Sequence, residues 1–186
     1  MSFATIYCYP NTTLADYLPH YKKVKSKTPT HGYMLYYEGK NHLAIMGNCT
    51  VILDDLHRIF TTRLEALYQA ATIWEYMLCE NNDYVDFFSV SRKFWETYDE
   101  ETHDDQQQWR GDYNKVAQLF SVDASRISNY YQTWEIDWTN PDYIENLIEY
   151  GKAYPDDQCC RGQVHQLVDF LNALGLGWPV HNLMEL

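Results

Sequence analysis

The chain has no apolar run approaching the ~18 residues that a membrane-spanning helix requires. Its opening, MSFATIYCYP, lacks the basic head, long apolar stretch and small-residue cleavage site of a signal peptide. These gaps predict a cytoplasmic protein with no membrane partner. Catalytic signatures are missing as well. There is no GxxxxGK[ST] loop, no GxGxxG behind a strand, no HExxH and no GxSxG, which removes the usual signals for phosphate-cradling, dinucleotide, zinc-hydrolase and serine-hydrolase chemistry. The five cysteines (Cys8, Cys49, Cys79, Cys159 and Cys160) include no CxxC pair, so no zinc site is expected. A bridge between adjacent Cys159 and Cys160 would close a strained ring. Free thiols in a reducing compartment are the expectation. No cofactor, metal or catalytic residue is predicted.

Two partial chemical readings are set aside on physical grounds. His42, opening the run HLAIM, and Cys79 form a nucleophile–base pairing of the kind used by cysteine hydrolases. Cys79 falls near the end of an expected helix, in YMLCENN, where no helix N-terminus stabilises a thiolate. His103, Asp104 and Asp105 contain metal-ligating atoms, but an acidic connection of this kind is ordinarily solvated. His57 and His165 each fall within an amphipathic pattern and are expected at its surface or boundary.

What the chain does have is lopsided charge. Residues 1–53 carry five lysines against Asp16 and Glu38, whereas residues 54–186 carry nine Lys or Arg against 24 Asp or Glu. A 186-residue chain that is 46% hydrophobic and 16% aromatic buries a real core despite a formal net charge of −12. The asymmetry therefore bears on partners rather than on whether the chain folds. The basic stretch with Lys22, Lys23, Lys25 and Lys27 is read as solvated surface.

Pattern along the chain predicts an α+β fold: a small antiparallel sheet with a helix in the N-terminal half, followed by a mostly helical C-terminal lobe. TIYCY (5–9) reads as a strand, and Thr12 as the cap of a short helix through Leu14, Tyr17 and Leu18, with Pro19 shortening or kinking it. YMLYY and HLAIM flank EGKN, a hairpin signal in which Gly39 and Asn41 suit positive φ. CTVIL (49–53) reads as a third extended run. From a cap at Asp54 or Asp55, Leu56, Phe60, Leu64, Leu67, Ala71, Trp74 and Leu78 recur at helical steps. DYVDFFSVSRKFWETY (83–98) supplies another helix. The acidic connection from Glu96 to Gln108 then divides an α+β lobe (1–98) from a helical lobe (106–186). In that second lobe, one helix is capped at Asn140 and another closes on Gly175.

The stretch YNKVAQLFSVDASRISNYYQTW (113–134) resembles a helix-turn-helix. Val116, Phe120, Val122, Ile127 and Tyr130 occupy its apolar positions, and Ala117 its crossing point. Ser125, Arg126, Ser128 and Asn129 would then face bases, although Ser121 stands where the turn favours glycine. The resemblance implies a DNA-binding regulator using residues 113–132. Electrostatics favours another function. DNA affinity rests on Lys and Arg neutralising phosphates, and acidic runs flank this stretch on both sides. The leading expectation is an acidic intracellular protein that binds and inhibits a basic, nucleic-acid-handling protein such as a toxin, nuclease or defence complex. In composition it resembles immunity-type and phage anti-defence inhibitors, some of which act as nucleic-acid mimics. Asp99, Glu100, Glu101, Asp104 and Asp105 are the expected contact residues.

Overall fold

β1 (Phe3–Tyr9) begins the fold, and the chain then turns through Asn11 at φ 51° into α1 (Leu14–Lys25). The helix cap is Thr13 rather than Thr12. Thr13 Oγ1 accepts from the Asp16 N–H, and the Thr13 N–H donates to Asp16 Oδ2, a reciprocal capping box. Pro19 lies inside the helix without ending it. The computed structural model describes residues 3–28, 32–69, 73–90, 111–133, 151–161 and 163–186.

β2 (Met34–Glu38) and β3 (Leu43–Gly47) form the predicted hairpin. Its turn is closed by the Gly39 N–H donating to the His42 carbonyl, and neither Gly39 nor Asn41 has a positive φ. Glycine is required at 39 for a different reason. A Cβ there would stand 2.3 Å from the Gly175 carbonyl oxygen, so only glycine lets the C-terminal layer approach this closely.

Beyond Gly47 the structure corrects several expectations. CTVIL is not a strand. It enters α2 (Thr50–His57), which buries Ile52, Leu53 and Leu56 and exposes Val51. Asp54 and Asp55 therefore lie within that helix instead of capping a longer one. The expected long helix is two strands, β4 (Arg63–Gln69) and β5 (Ile73–Glu80), and the next expected helix begins as β6 (Asp83–Ser89). Asn81 and Asn82, at φ 54° and 67°, make the two-residue turn between β5 and β6. Two successive left-handed residues match the right-handed twist of a hairpin. The sheet has seven antiparallel strands in the order β6-β5-β4-β1-β3-β2-β7, with β7 (His181–Asn182) on the outer edge of β2. Within it, β1-α1-β2-β3-α2-β4 makes a split β-α-β arrangement.

A mostly helical C-terminal lobe is thus replaced by a layer laid on the sheet. That layer includes α3 (Tyr113–Leu119), two 3-10 turns (Ala124–Arg126 and Ser128–Tyr130) and α4 (Gln166–Ala173). Residue alternation on the strands separates two cores. Tyr9, Leu43 and Ile45 face α1 and α2 with Tyr17, Tyr21 and Leu56. Ile6, Cys8, Ala44, Leu64, Trp74, Tyr76 and Phe88 face the other way, against Val116, Phe120, Ile127, Phe170 and Leu171. The second core therefore joins residues from both sides of the expected lobe boundary, while the boundary itself and the helix expected from Asn140 lie outside the described residues.

Candidate functional site: a carboxylate-lined cavity

The 3-10 turn at Ala124–Arg126 and the start of its successor stand opposite α4, and a loop at 153–159 closes the gap between them. Asp123 caps the first turn, accepting from the Ser125 N–H. The loop is fastened at both ends by hydrogen bonds. The Tyr154 hydroxyl donates to the Ser125 carbonyl and accepts from the Asn129 N–H, and Asn129 Nδ2 donates to the Ala153 carbonyl. From below, Asp157 accepts from the Tyr130 hydroxyl at 2.6 Å and from the Tyr154 N–H at 3.0 Å. Asp169, on α4, accepts from the N–H groups of Gln158 and Cys159.

These fastenings leave an open cavity of about 490 Å³ lined by Ser125, Arg126, Tyr130, Tyr154, Asp156, Asp157, Gln158, Asp169, Asn172 and Ala173. Its size falls within the range of small-ligand pockets. Asp157 and Asp169 are only 7% and 6% exposed, while Asp156 and Arg126 are exposed at the rim. Burial first, then the hydrogen bond to Asp157 and the charges of Asp157 and Asp169, push the Tyr130 hydroxyl pKa up. Among the described residues, neither buried carboxylate forms an ion pair, and no three His, Cys, Asp or Glu side chains converge as metal ligands.

The residues singled out in the sequence fare differently. Asp99, Glu100, Glu101, Asp104 and Asp105 lie outside the described residues, as does His103. Ser125, Arg126, Ser128 and Asn129 are brought together, but not on a second α-helix. Two 3-10 turns replace it, so no continuous recognition helix stands there. Ser121 does adopt the left-handed turn conformation, at φ 54°. Ser125 and Asn129 are engaged in holding the loop, Ser128 is half-buried, and Arg126 is exposed. The cavity residues Tyr154, Asp156, Asp157, Gln158, Asp169 and Asn172 had no sequence signal beyond the turn-like run YPDDQ.

His42 and Cys79 are separately occupied. His42 Nδ1 accepts from the Asn11 N–H and Nε2 donates to the Phe120 carbonyl at 2.8 Å, tying the hairpin to α3. Burial lowers its pKa. Cys79 sits on β5, not on a helix, and its thiol donates to Glu65 Oε1. Burial and the neighbouring Glu65 charge push the thiol up to about 12, so it stays protonated at neutral pH. Of the basic cluster, Lys25 is bound to the Met184 carbonyl at 2.9 Å, and Lys22, Lys23 and Lys27 are exposed.

One buried carboxyl makes a pH prediction. Burial pushes Glu75 on β5 up to about 7, from an ordinary value of 4.5. Between those values the folded chain holds a proton that the unfolded chain releases, so stability falls as pH rises from 4.5 to 7 and stays lower above it. Glu75→Gln should therefore stabilise the protein by about 2–3 kcal/mol at pH 8 and by much less at pH 5. His57, held down to about 4 by burial and by Arg63, acts in the opposite sense at acid pH but is common to both proteins. Thermal melts at the two pH values check this. An equal shift at both would contradict it.

No family model, no curated protein and no solved structure matches this chain.

Proposed function

We propose that this chain is an acidic, non-enzymatic intracellular protein that binds and inhibits a basic protein partner, one whose own site handles nucleic acid. The supporting observation is acidity that internal pairing does not neutralise. Beyond residue 53 there are 24 acidic residues against nine basic ones. Among the described residues the ion pairs are Arg58–Asp55, Arg63–Glu65 and Lys115–Glu80. Asp86, Asp112, Asp157 and Asp169 instead accept hydrogen bonds from N–H and O–H groups, which bring no positive charge to them. Residues 91–110 and 134–150 add eleven acidic side chains against three basic ones. Within a Debye length of roughly 8 Å an excess of negative charge repels phosphates and attracts cations. It raises the association rate with a basic surface more than it adds contact energy.

The competing use of Ser125–Asn129 against DNA has lost its recognition helix, and Arg126 is the one exposed cation among its four residues. The test begins with affinity capture from the native host or its competitors, but capture alone decides nothing. The complex must weaken steeply as salt rises from about 50 to 300 mM, in keeping with screened charge. A complex indifferent to salt would remove electrostatic capture from the account.

A further inference from the structure

The cavity between the 3-10 turns and α4 holds a specific imbalance. Two carboxylates, each more than nine-tenths buried, line it, and among the described residues neither is ion-paired, not even with Arg126 at the rim. An ionised carboxylate offers about four acceptor positions. Asp157 uses one on each oxygen, for the Tyr130 hydroxyl and the Tyr154 N–H. Asp169 receives the Gln158 N–H between its oxygens and the Cys159 N–H on Oδ2. Acceptor capacity therefore remains on both. Burying a charge without a counter-ion is costly, and a cation brought to the pair recovers part of that cost.

The walls fit one kind of cation better than others. Tyr130 and Tyr154 stand with ring centroids 5.2 Å apart at 54°, giving two aromatic surfaces beside the carboxylates. A planar guanidinium bonds carboxylates through a fork of N–H donors and stacks on aromatic faces, whereas an ammonium is a compact, strongly hydrated charge. We propose that this cavity is the receptor for an arginine side chain of the basic partner, with Asp157 and Asp169 as its counter-ions and Tyr130 and Tyr154 as its walls. This rests on the partner reading above and gives that partner an anchoring residue. A buried arginine in a pocket is a frequent source of concentrated interface energy. Asp156 adds attraction at the rim. Arg126, also at the rim, opposes entry, the reverse of the role it would have on DNA.

The test uses the full chain, ¹⁵N-labelled, titrated with Nα-acetyl-arginine methylamide. The neutral citrulline analogue and the lysine analogue serve as comparisons. The arginine probe should give saturable shifts centred on the Tyr154, Gln158 and Cys159 N–H groups, with a roughly millimolar Kd. The lysine probe should bind more weakly and the citrulline probe not at all. Arg126→Gln, at an exposed position, should tighten arginine binding about three- to tenfold by removing a like charge. Asp169→Asn should weaken it at least about tenfold, and if that variant fails to fold, Arg126→Gln still decides. Equal shifts from citrulline, shifts scattered over Asp54 and Asp83, or weaker binding in Arg126→Gln would each overturn the proposal. Salt-sensitive partner binding with an unshifted cavity would remove this inference and leave the proposed function. Arginine binding in the cavity without any basic partner would remove the proposed function and, with it, the partner's arginine as the occupant.

Discussion

Phe170→Ala should destabilise the protein by about 3–5 kcal/mol, the range for deleting a buried phenyl ring. Phe170 is fully buried on α4 and is the point where the C-terminal layer grips the sheet. Its ring stacks on Trp74 at 4.9 Å and 28°, lies parallel to Tyr76 at 6.0 Å, and meets Tyr130 edge-on at 5.7 Å. Beside it the Trp74 indole N–H donates to Gln166 Oε1, fixing α4 over β5. Trp74 and Tyr76 are held by the ladder of β5 and Tyr130 by the second 3-10 turn, so they cannot close together over the space that alanine would leave. Urea unfolding should show a lower midpoint at unchanged slope, the signature of lost stability rather than an altered unfolded state. Val51→Ala, at a position 60% exposed, should stay within about 0.5 kcal/mol of the parent. A loss below about 1 kcal/mol for Phe170→Ala would mean that the layer does not depend on this contact. The same substitution bears on function, because Asp169 and Asn172 line the cavity from the same helix.

The second large effect concerns a buried ion pair on the opposite face of β4. Arg63 donates from Nε to Glu65 Oε1 at 2.7 Å, Nη2 lies 2.7 Å from the same oxygen, and Nη1 donates to Asn82 Oδ1. Both side chains are less than a tenth exposed. Arg63→Met should cost about 3–5 kcal/mol, because Glu65 is left as an uncompensated buried charge. The pair as a whole contributes far less, since desolvating two ions offsets most of their attraction. Adding Glu65→Leu should therefore recover most of the loss and return the protein to within about 1 kcal/mol of the parent. A double-mutant cycle by urea unfolding measures the coupling. If the double variant stayed several kcal/mol below the parent, the pair would be a net source of stability and the desolvation argument would be wrong here, whereas strictly additive single losses would mean that the two residues are not coupled.

Arg63 also illustrates how the sequence pattern misleads. Leu64, Leu67, Trp74 and Leu78 satisfy helical spacing, yet Leu64 and Ala66, and then Trp74, Tyr76 and Leu78, alternate equally well. In the sheet Leu64, Ala66, Trp74, Tyr76 and Leu78 form one buried face, and Arg63, Glu65, Glu75 and Cys79 occupy the other. Because both faces of this sheet are covered, the polar residues are buried too, and the usual polar-out contrast of a strand is blunted. The decisive local signal was Asn81-Asn82, a pair suited to a two-residue hairpin. CTVIL erred in the opposite direction. Its β-branched residues favour strands only weakly, and burial of Ile52, Leu53 and Leu56 on one helical face overrode that preference. By contrast, β1, the β2–β3 hairpin and the helix ending before Gly175 were legible from their periodicities and, for the helix, from Gly175 at φ 77°, although the positive φ expected at Gly39 and Asn41 is not adopted.

The cavity was less legible still. It depends on Tyr130, Tyr154, Asp157 and Asp169 meeting across long stretches of chain, and no spacing rule encodes that meeting. Asp169 sits within QLVDFLNA, where one acidic residue in an amphipathic run reads as solvated. The 3-10 turns explain why the DNA-reading resemblance was only partial. Asp123 recaps the chain directly after Phe120–Val122, and Ser125 and Asn129 bond to the 153–154 segment.

The central claim is that this acid-laden chain engages cationic protein and repels nucleic acid, and one competition gel shift addresses it directly. Labelled random-sequence duplex DNA is run at low salt with the captured basic partner, with this chain, and with both. The account predicts that the chain alone leaves the duplex unretarded and that its addition releases DNA from the partner. Retardation of the duplex by the chain itself, abolished by Arg126→Ala or Asn129→Ala, would contradict the account and make the protein a reader of DNA.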